Sequence, residues 1–340
     1  MPPPVEARAM SGTDGRDPIQ WAAEEDRDLQ EVATWEPRTQ LDQLSTDLYR
    51  ALLYTGRAAI ILLALAILAG QFAITAVMLR EEPIVAVYVA LSVVPALGLV
   101  VIIWRSDVVA REPIDTLAVT FLLGFLFAGF AAVVNSSLKG LFFGLGGVGL
   151  LLYFLLVVGP IEETVKLLAV RLHAFRTDHF DAVIDGAIYG AVAGLGFAAI
   201  ENLLYITQQY LQMASAGGGV LGPTIQTAAL RSFAGPGHVI YSAFAGYYLG
   251  LAKFNPEHRG PLIVKGLLVA TGIHASYNIL VSNLGLVAGV VPFLGGLPPT
   301  LAFVAFVIVY DGFFFGLLYA KLARYRRTFE SVGAAAFYED

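Results

Sequence analysis

The sequence GPIEETVKLL, residues 159–168, places two adjacent carboxylates and a lysine inside an apolar run that is otherwise long enough to cross a membrane. The three charged residues are Glu162, Glu163 and Lys166. A charged side chain at the centre of a bilayer costs about 2.5–3.5 kcal/mol on insertion scales, so those that occur in membrane helices usually serve a function. The stretch therefore predicts a functional site within the membrane, whose partners lie on neighbouring helices.

The composition indicates a membrane protein. Hydrophobic residues make up 57% of the 340 residues and charged residues 14%, against about 45–50% and about 25% in soluble domains. Residues 1–57 contain 11 acidic and 6 basic residues, so they carry most of the net charge of −6. The absence of cysteine excludes disulfides, thiol catalysis and thiolate metal sites. Any metal must therefore be held by histidines and carboxylates.

Eight apolar segments are long enough to cross about 30 Å of hydrocarbon, which takes about 20 helical residues. They lie at 58–79, 83–104, 114–136, 143–173, 184–207, 228–253, 261–283 and 299–320. The sequence thus predicts an all-α fold, a polytopic membrane bundle of about eight transmembrane helices.

Basic residues near the ends of these segments predict the orientation. Because cytoplasmic loops are enriched in Lys and Arg, the side with more of them should be cytoplasmic. One side carries only Arg80 and Lys139. The other carries Arg50, Arg57, Arg105, Arg111, Arg171, Arg176, Lys253, Arg259, Lys321, Arg324, Arg326 and Arg327. We therefore expect a multi-pass protein of the cell membrane with both termini in the cytoplasm.

The segment 143–173 is too long for one straight crossing, since 31 helical residues cover about 46 Å. Pro160 fits the first turn of a helix, because backbone N–H groups there have no hydrogen-bond partner within the helix and proline lacks an N–H. We therefore expect a new helical segment to open at Pro160, with Glu162 and Glu163 near its start. Lys166 lies one turn after both and can neutralise one of them.

Four polar residues on four segments lie at a common depth. Counted from the predicted cytoplasmic ends, Glu162, Glu201, His238 and His274 lie 12–15 residues in, about 18–23 Å at 1.5 Å per residue. Asn278 shares a helix face with His274. A single buried Glu or His often makes only a structural hydrogen bond between helices, but five such groups at one level predict a shared site.

Three further features receive structural interpretations. Asp311, in the last segment, is expected to pair with Lys166. Asp185 is expected to cap the start of the fifth segment. Gly186, Gly190 and Gly194 repeat every fourth residue and predict a close packing seam between helices.

Several motifs together resemble the PrsW family of intramembrane proteases, which is related to the type II CAAX prenyl proteases and the abortive-infection membrane proteins. They are EETVK at 162–166, DGAIYG at 185–190, GFAAIEN at 196–202, His238, and HASYN at 274–278. The resemblance covers about residues 140–285. It marks Glu162, Glu163, Lys166, Phe197, Glu201, His238, His274 and Asn278 as site residues. In the CAAX branch a histidine occupies the position of Glu201.

The resemblance implies a membrane-embedded peptidase of the glutamic or metal-dependent kind, whose named member cuts an anti-sigma factor. Low hydropathy and mixed charge predict a cytoplasmic, disordered acidic tail at 1–50, followed by a membrane-embedded domain at 51–325 that carries the protease resemblance and a short cytoplasmic tail at 326–340. The expected partners are a membrane-anchored protein substrate and the lipid bilayer, and no nucleic acid.

Other classes of intramembrane protease lack support in the sequence. It contains no HExxH, GxGD or GxSxG motif, which zinc site-two, presenilin-type and serine proteases would need. Glu162 is the candidate general base. His238 and His274, with Glu201, match the His₂Glu composition of catalytic zinc sites, so Zn²⁺ is a candidate cofactor. In a metal-free site the two histidines would instead act as proton donor and oxyanion donor, and Asn278 suits the oxyanion in either case.

Two other functions remain open. Buried carboxylates and imidazoles also carry ions in transporters and proton-coupled channels. These often show internal repeats, but none is visible here. A non-catalytic membrane scaffold or interaction protein is the other alternative.

Overall fold

The computed structural model describes residues 28, 30, 35–108 and 111–331. The chain divides into two units, Met1–Leu62 and Leu63–Asp340. Most of the expected acidic tail at 1–50, and residues 332–340 of the expected C-terminal tail, lie outside the described residues.

The described residues are almost entirely helical, which confirms the all-α class. The α-helices are α1 Gln40–Glu81, α2 Ile84–Leu91, α3 Val94–Trp104, α4 Ile114–Phe143, α5 Gly146–Tyr153, α6 Gly159–Leu172, α7 Val183–Ser215, α8 Leu221–Lys253, α9 Arg259–Ser282, α10 Leu284–Val290, α11 Pro292–Gly295 and α12 Pro299–Ser331. A π-helical segment covers Phe154–Val158, and 3₁₀ turns cover Ala174–Arg176 and Pro256–His258.

Seven helical segments in the described part of the chain are long and apolar enough to cross a membrane. They are Ile61–Glu81, Ile84–Trp104, Ile114–Phe143, Gly146–Arg176, Val183–Ser215, Pro256–Ser282 and Pro299–Ser331. Each corresponds to one of the eight predicted spans. The remaining prediction, 228–253, lies within α8, which has 33 residues but includes Arg231, His238 and Lys253. The polytopic bundle is confirmed, while the orientation of the termini remains a prediction.

Helices α7 and α8 form the centre of the second unit. In the apolar window of α7, 89% of the residues are buried, against 17–44% in the other six spans. An added Cβ at Gly186, Gly190 or Gly194 would collide with the carbonyl oxygen of Gly246, Ser242 or His238. Because only glycine permits this approach, the predicted seam is present and brings the backbone of α7 directly against α8.

The long fourth segment contains a π-helical turn. The π-helical residues 154–158 end immediately before α6, which has Pro160 in its first turn. Pro160 lacks an N–H, and a π-helical turn is one of the few helical irregularities often found at functional sites. The predicted new helical segment therefore begins at Gly159, so that Glu162 and Glu163 lie in and just after its first turn.

Candidate active site

Lys166 is the centre of the buried charge cluster on α6. Its Nζ lies 2.7 Å from Glu163 Oε1, 3.7 Å from Glu162 Oε2 and 2.9 Å from His238 Nδ1. The ammonium also lies 4.2 Å from the ring centroid of Phe197. All of these side chains are buried, so the lysine offsets carboxylate charge where water cannot.

Glu163 connects α6 to α9. The same Oε1 that accepts a hydrogen bond from Lys166 lies 2.8 Å from His274 Nδ1. A carboxylate at that distance fixes an Nδ1–H tautomer of the imidazole, which leaves Nε2 as an unprotonated acceptor. This Nε2 lies 3.8 Å from Glu162 Oε2.

One carboxylate oxygen of Glu162 accepts a hydrogen bond, and the other accepts none from the described residues. Oε1 accepts a hydrogen bond of 2.9 Å from Asn135 Nδ2 on α4, and the Tyr153 hydroxyl donates in turn to Asn135 O at 3.1 Å. Oε2 is buried and accepts no hydrogen bond among the described residues. Most buried polar atoms have a partner, so this oxygen is available to a water, a metal ion or a substrate.

A second chain of polar groups runs through α7 and α8. His238 Nε2 lies 2.7 Å from Glu201 Oε2, and Arg231 Nη2 contacts the same oxygen. Arg231 Nε donates to Asn202 Oδ1 at 2.9 Å, and its guanidinium lies 4.4 Å from the ring centroid of Tyr205. Arg231 therefore has three contacts that hold it in place. Through Arg231 the position of Glu201 is also restrained, and Glu201 in turn holds the Nε2 side of the His238 ring.

Aromatic rings hold the two imidazoles in place. Phe197 contacts His238 at 5.4 Å between ring centroids, and Tyr241 stacks on His274 at 5.2 Å. The two imidazoles meet edge to face at 5.2 Å. The expected pairing of Asp311 with Lys166 is wrong, because the hydrogen bond that Asp311 makes is to the Tyr241 hydroxyl, at 3.4 Å.

The site opens into a cavity of about 1460 Å³. Its wall includes Glu162, Phe197, Glu201, Arg231, His238, His274 and Asn278. Farther along α7 it is lined by the polar side chains of Gln208, Gln212 and Ser215. Glu163 and Lys166 are not on this wall, and both are almost completely buried. The cluster thus has a layer that can meet a substrate and a layer behind it.

Three residues of the cluster have a donor set that fits a metal ion. Ligand atoms of Glu162, His238 and His274 lie within 4.8 Å of one another. Two zinc ligands at about 2.0–2.1 Å from the ion can be at most about 4.2 Å apart, and the 3.8 Å between Glu162 Oε2 and His274 Nε2 satisfies this limit. The unpartnered oxygen and the His274 tautomer fit an ion, whereas His238 must release either Lys166 or Glu201 to join. The structure groups Glu162 with the two histidines, where the sequence suggested Glu201.

Most site residues singled out in the sequence meet around this cavity, but three contacts were missed. Asn135, Arg231 and Tyr241 were not among the candidates. Arg231 lies seven residues before His238 on α8, a spacing that places both on one helix face, and this signal could have identified it. Tyr241 lies three residues after His238 on the same face and carries a similar signal, whereas Asn135 lies on α4, which holds no other candidate.

Comparison with known proteins identifies the family. The family described as "PrsW family intramembrane metalloprotease" matches residues 112–312, more than half of the chain. "Protease PrsW" of Bacillus subtilis is 25% identical over 58% of this chain and 83% of its own length. "Protease PrsW" of Clostridioides difficile is 30% identical over 56% of this chain and 77% of its own. No solved structure matches the chain significantly. The chain therefore belongs to the PrsW family of intramembrane metalloproteases, and it is a multi-pass membrane protease.

Proposed function

We propose that the protein hydrolyses a peptide bond of a membrane-anchored protein at the cavity wall formed by Glu162, Glu201, His238, His274 and Asn278. The observation that carries this proposal concerns Glu162, which lines the cavity: its buried Oε2 accepts no hydrogen bond from the described residues and lies 3.8 Å from His274 Nε2. A peptidase needs a water-activating group that faces the substrate while the groups behind it hold its position, and this arrangement provides both.

In the site without an ion, Glu162 is the group that moves the proton. Its Oε2 takes a proton from water, whose oxygen adds to the carbonyl carbon of the scissile bond. The same carboxyl then gives the proton to the amide nitrogen as the C–N bond breaks, so that one water is consumed. Asn278 lies on the cavity wall one helical turn after His274, and its side-chain amide is the candidate donor to the developing oxyanion.

The buried layer orients these groups. Asn135 fixes the Glu162 carboxylate from α4, and Glu163 fixes the His274 ring from the opposite side. Lys166 offsets the charge of the adjacent carboxylates, and Phe197 packs against both Lys166 and His238. Such supporting contacts keep reactive groups in place before substrate arrives, which lowers the cost of reaching the transition state.

Zinc is the proposed cofactor, held by Glu162, His238 and His274. When bound, a zinc ion lowers the pKa of its water ligand to about 7 and polarises a carbonyl. The contact between Glu163 and His274 is the carboxylate–histidine arrangement that commonly orients a metal-binding imidazole. In this form Glu162 would serve as a ligand, with its Oε1 still held by Asn135.

One observation favours a glutamic mechanism as the second candidate. Both ring nitrogens of His238 have a protein partner, Lys166 at Nδ1 and Glu201 at Nε2. Because both nitrogens already contact protein groups, His238 can exchange protons with Lys166 and Glu201 without a bound metal ion. Zinc content would separate the two, because a zinc site predicts an ion in the wild type that Glu162→Gln loses, whereas a glutamic site predicts no bound ion in either protein.

The substrate proposed is a single-pass membrane protein. The cavity lies among apolar helices and combines an apolar wall with the polar side chains of Gln208 and Gln212. Irregular backbone is tolerated at membrane depth only where it lines such a water-filled space, so an unwound substrate helix could be cut there. The family resemblance makes an anti-sigma factor, or another membrane-anchored regulator, the first candidate.

Labelling of new peptide N-termini tests the proposal even before any substrate has been identified. Membranes containing the wild-type protein are compared with membranes containing Glu162→Gln. We expect new termini within or beside transmembrane segments of single-pass proteins with the wild type only. Identical sets of termini would contradict the proposed peptidase and favour the scaffold alternative.

A further inference from the structure

A second group of carboxylates lies at the far end of α7 from the proposed peptidase site. Asp107 follows α3, Glu112 precedes α4, and Asp185 is in the first turn of α7. From Asp185 to Glu201 there are 16 residues, about 24 Å along the helix. One ligand oxygen from each of the three carboxylates lies within 4.8 Å of the others.

Hydrogen bonds fix two of these carboxylates from one side only. Asp185 Oδ2 accepts hydrogen bonds from the backbone N–H groups of Asp181 at 2.8 Å and Ala182 at 2.6 Å. Asp185 thus caps the start of α7 from its third residue, whereas Ala182 occupies the N-cap position at which the sequence placed the aspartate. Glu112 Oε2 accepts the hydrogen bond of the Tyr189 hydroxyl. The other oxygens, Asp185 Oδ1 and Glu112 Oε1, are buried and accept no hydrogen bond from any described residue.

These unpartnered oxygens lie in side chains that are almost inaccessible to water. Asp185 is 0% exposed and Glu112 3% exposed. A buried carboxylate oxygen that lacks a partner is costly, and neighbouring carboxylates increase that cost. A cation bound to these two oxygens would offset that cost.

Lys253 is a basic side chain near the cluster, but its hydrogen bonds go to other groups. Lys253, at the end of α8, donates to Phe175 O at 3.1 Å and Thr177 O at 3.3 Å, and it lies 4.7 Å from the ring centroid of Phe180. The ammonium group of Lys253 attracts the carboxylates electrostatically at a distance, but it donates its hydrogen bonds to these two backbone carbonyls. Asp181 adds a further negative charge close to Asp185.

We propose that Asp107, Glu112 and Asp185 bind a hard divalent cation, with Ca²⁺ favoured over Mg²⁺. Ca²⁺ takes oxygen ligands at about 2.3–2.6 Å, so two ligands of one ion can lie as much as about 5 Å apart, whereas Mg²⁺ at about 2.1 Å limits this to about 4.2 Å. The three ligand oxygens lie within 4.8 Å of one another, a range that Ca²⁺ accepts in full and Mg²⁺ only in part.

A cation at this position would join three elements that the sequence separates. It would bind the connection between α3 and α4 to the first turn of α7, the helix that carries Phe197 and Glu201. Binding to the folded state alone stabilises a protein in proportion to the logarithm of ligand concentration. The expected effect is therefore on stability and on the placement of α7, without any part in bond cleavage.

Terbium luminescence of the detergent-purified, metal-stripped protein tests the proposal. Tb³⁺ occupies Ca²⁺ sites, and its emission is sensitised by nearby aromatic rings. Tyr189 bonds directly to Glu112, and Trp104 O accepts the Asp107 N–H at 3.2 Å. We expect saturable emission that added CaCl₂ displaces. It should disappear in Glu112→Gln but persist in Glu257→Gln, an exposed control, and in Glu162→Gln.

Thermal unfolding provides a second measurement. CaCl₂ should raise the Tm of the wild type above that in NaCl of equal ionic strength. Glu112→Gln removes one charge from the crowded cluster while keeping the side-chain size, so it should fold, start from a higher Tm and no longer respond. If neither CaCl₂ nor MgCl₂ changes the wild-type Tm, the cluster holds a proton instead, and the proposal fails. Tb³⁺ emission that is lost in Glu162→Gln but kept in Glu112→Gln would also overturn it.

Discussion

His274 Nδ1 lies 2.8 Å from Glu163 Oε1, and this contact directs the opposite ring nitrogen toward Glu162. Both side chains are buried, and the same glutamate oxygen also accepts a hydrogen bond from Lys166. The two adjacent glutamates of α6 therefore have different positions in the site. Glu163 lies behind the cavity wall and contacts His274, whereas Glu162 lines the cavity and has one oxygen that accepts no hydrogen bond from the described residues.

Glu163→Gln should impair both stability and zinc binding. Gln keeps an acceptor for His274 but removes the charge that compensates Lys166, and breaking a buried ion pair typically costs about 3–5 kcal/mol. Loss of a carboxylate that orients a metal-binding histidine typically lowers metal affinity by about 10–100-fold. Protein yield and zinc titration measure the two effects. Normal yield with unchanged zinc affinity would show that Glu163 does not position His274.

Purified protein should contain about one zinc ion per chain. This follows from the grouping of Glu162, His238 and His274 at ligand distances. Elemental analysis should find the ion lost from His274→Ala and retained in His258→Ala, an exposed histidine that serves as the matched control. Metal-free protein that still cleaves in the presence of a chelator would contradict the zinc assignment and favour the glutamic mechanism.

Arg231 and Glu201 should be energetically coupled. Arg231→Met leaves the Glu201 carboxylate with His238 alone, and Glu201→Gln leaves the guanidinium without its ion pair. The losses of turnover and Tm in the two single variants should therefore add up to more than the loss in the double variant, since paired groups typically couple by about 0.5–3 kcal/mol. A double-mutant cycle measures this. Strict additivity would mean that the contact plays no part in holding His238.

The glycine seam between α7 and α8 makes a prediction about stability. A Cβ at Gly194 would collide with the carbonyl oxygen of His238, so Gly194→Ala must separate the helices. Overpacking of this kind costs about 1–3 kcal/mol, and the shift should also reduce turnover. Gly140→Ala, where an added Cβ meets nothing within 4 Å, should keep or slightly raise the Tm. Equal Tm values for both variants would contradict the close approach.

The class of fold was predictable from the sequence because hydropathy alone defines most membrane spans. Seven of the eight predicted segments were recovered in this way. Helix α8 was not recovered, because Arg231 and His238 lower its mean hydropathy. Both side chains contact Glu201 on α7, and His238 also contacts His274 on α9. The number of crossings, and therefore the side of the membrane at each terminus, depends on this helix.

Counting depth along helices predicted part of the site. Glu201 and His238, both 15 residues from their predicted ends, are in contact at 2.7 Å. Glu162 and His274, at 12 and 13 residues, are 3.8 Å apart. Depth carries no information on which face of a helix a residue occupies. For that reason depth could not show that Glu201 forms an ion pair with Arg231, or that Asp311 contacts Tyr241 and not Lys166.

Cleavage by Glu162→Gln measures the central claim most directly. Gln keeps the size of the side chain and an oxygen for Asn135, but it cannot accept a proton from water, and it removes a buried charge. The variant should therefore accumulate and unfold like the wild type. In proteoliposomes with a tagged single-pass substrate, its turnover should fall by at least about 10²–10⁴-fold, the usual contribution of a general base. Turnover at the wild-type rate by a folded Glu162→Gln protein would contradict the assignment of Glu162 as the residue that activates water.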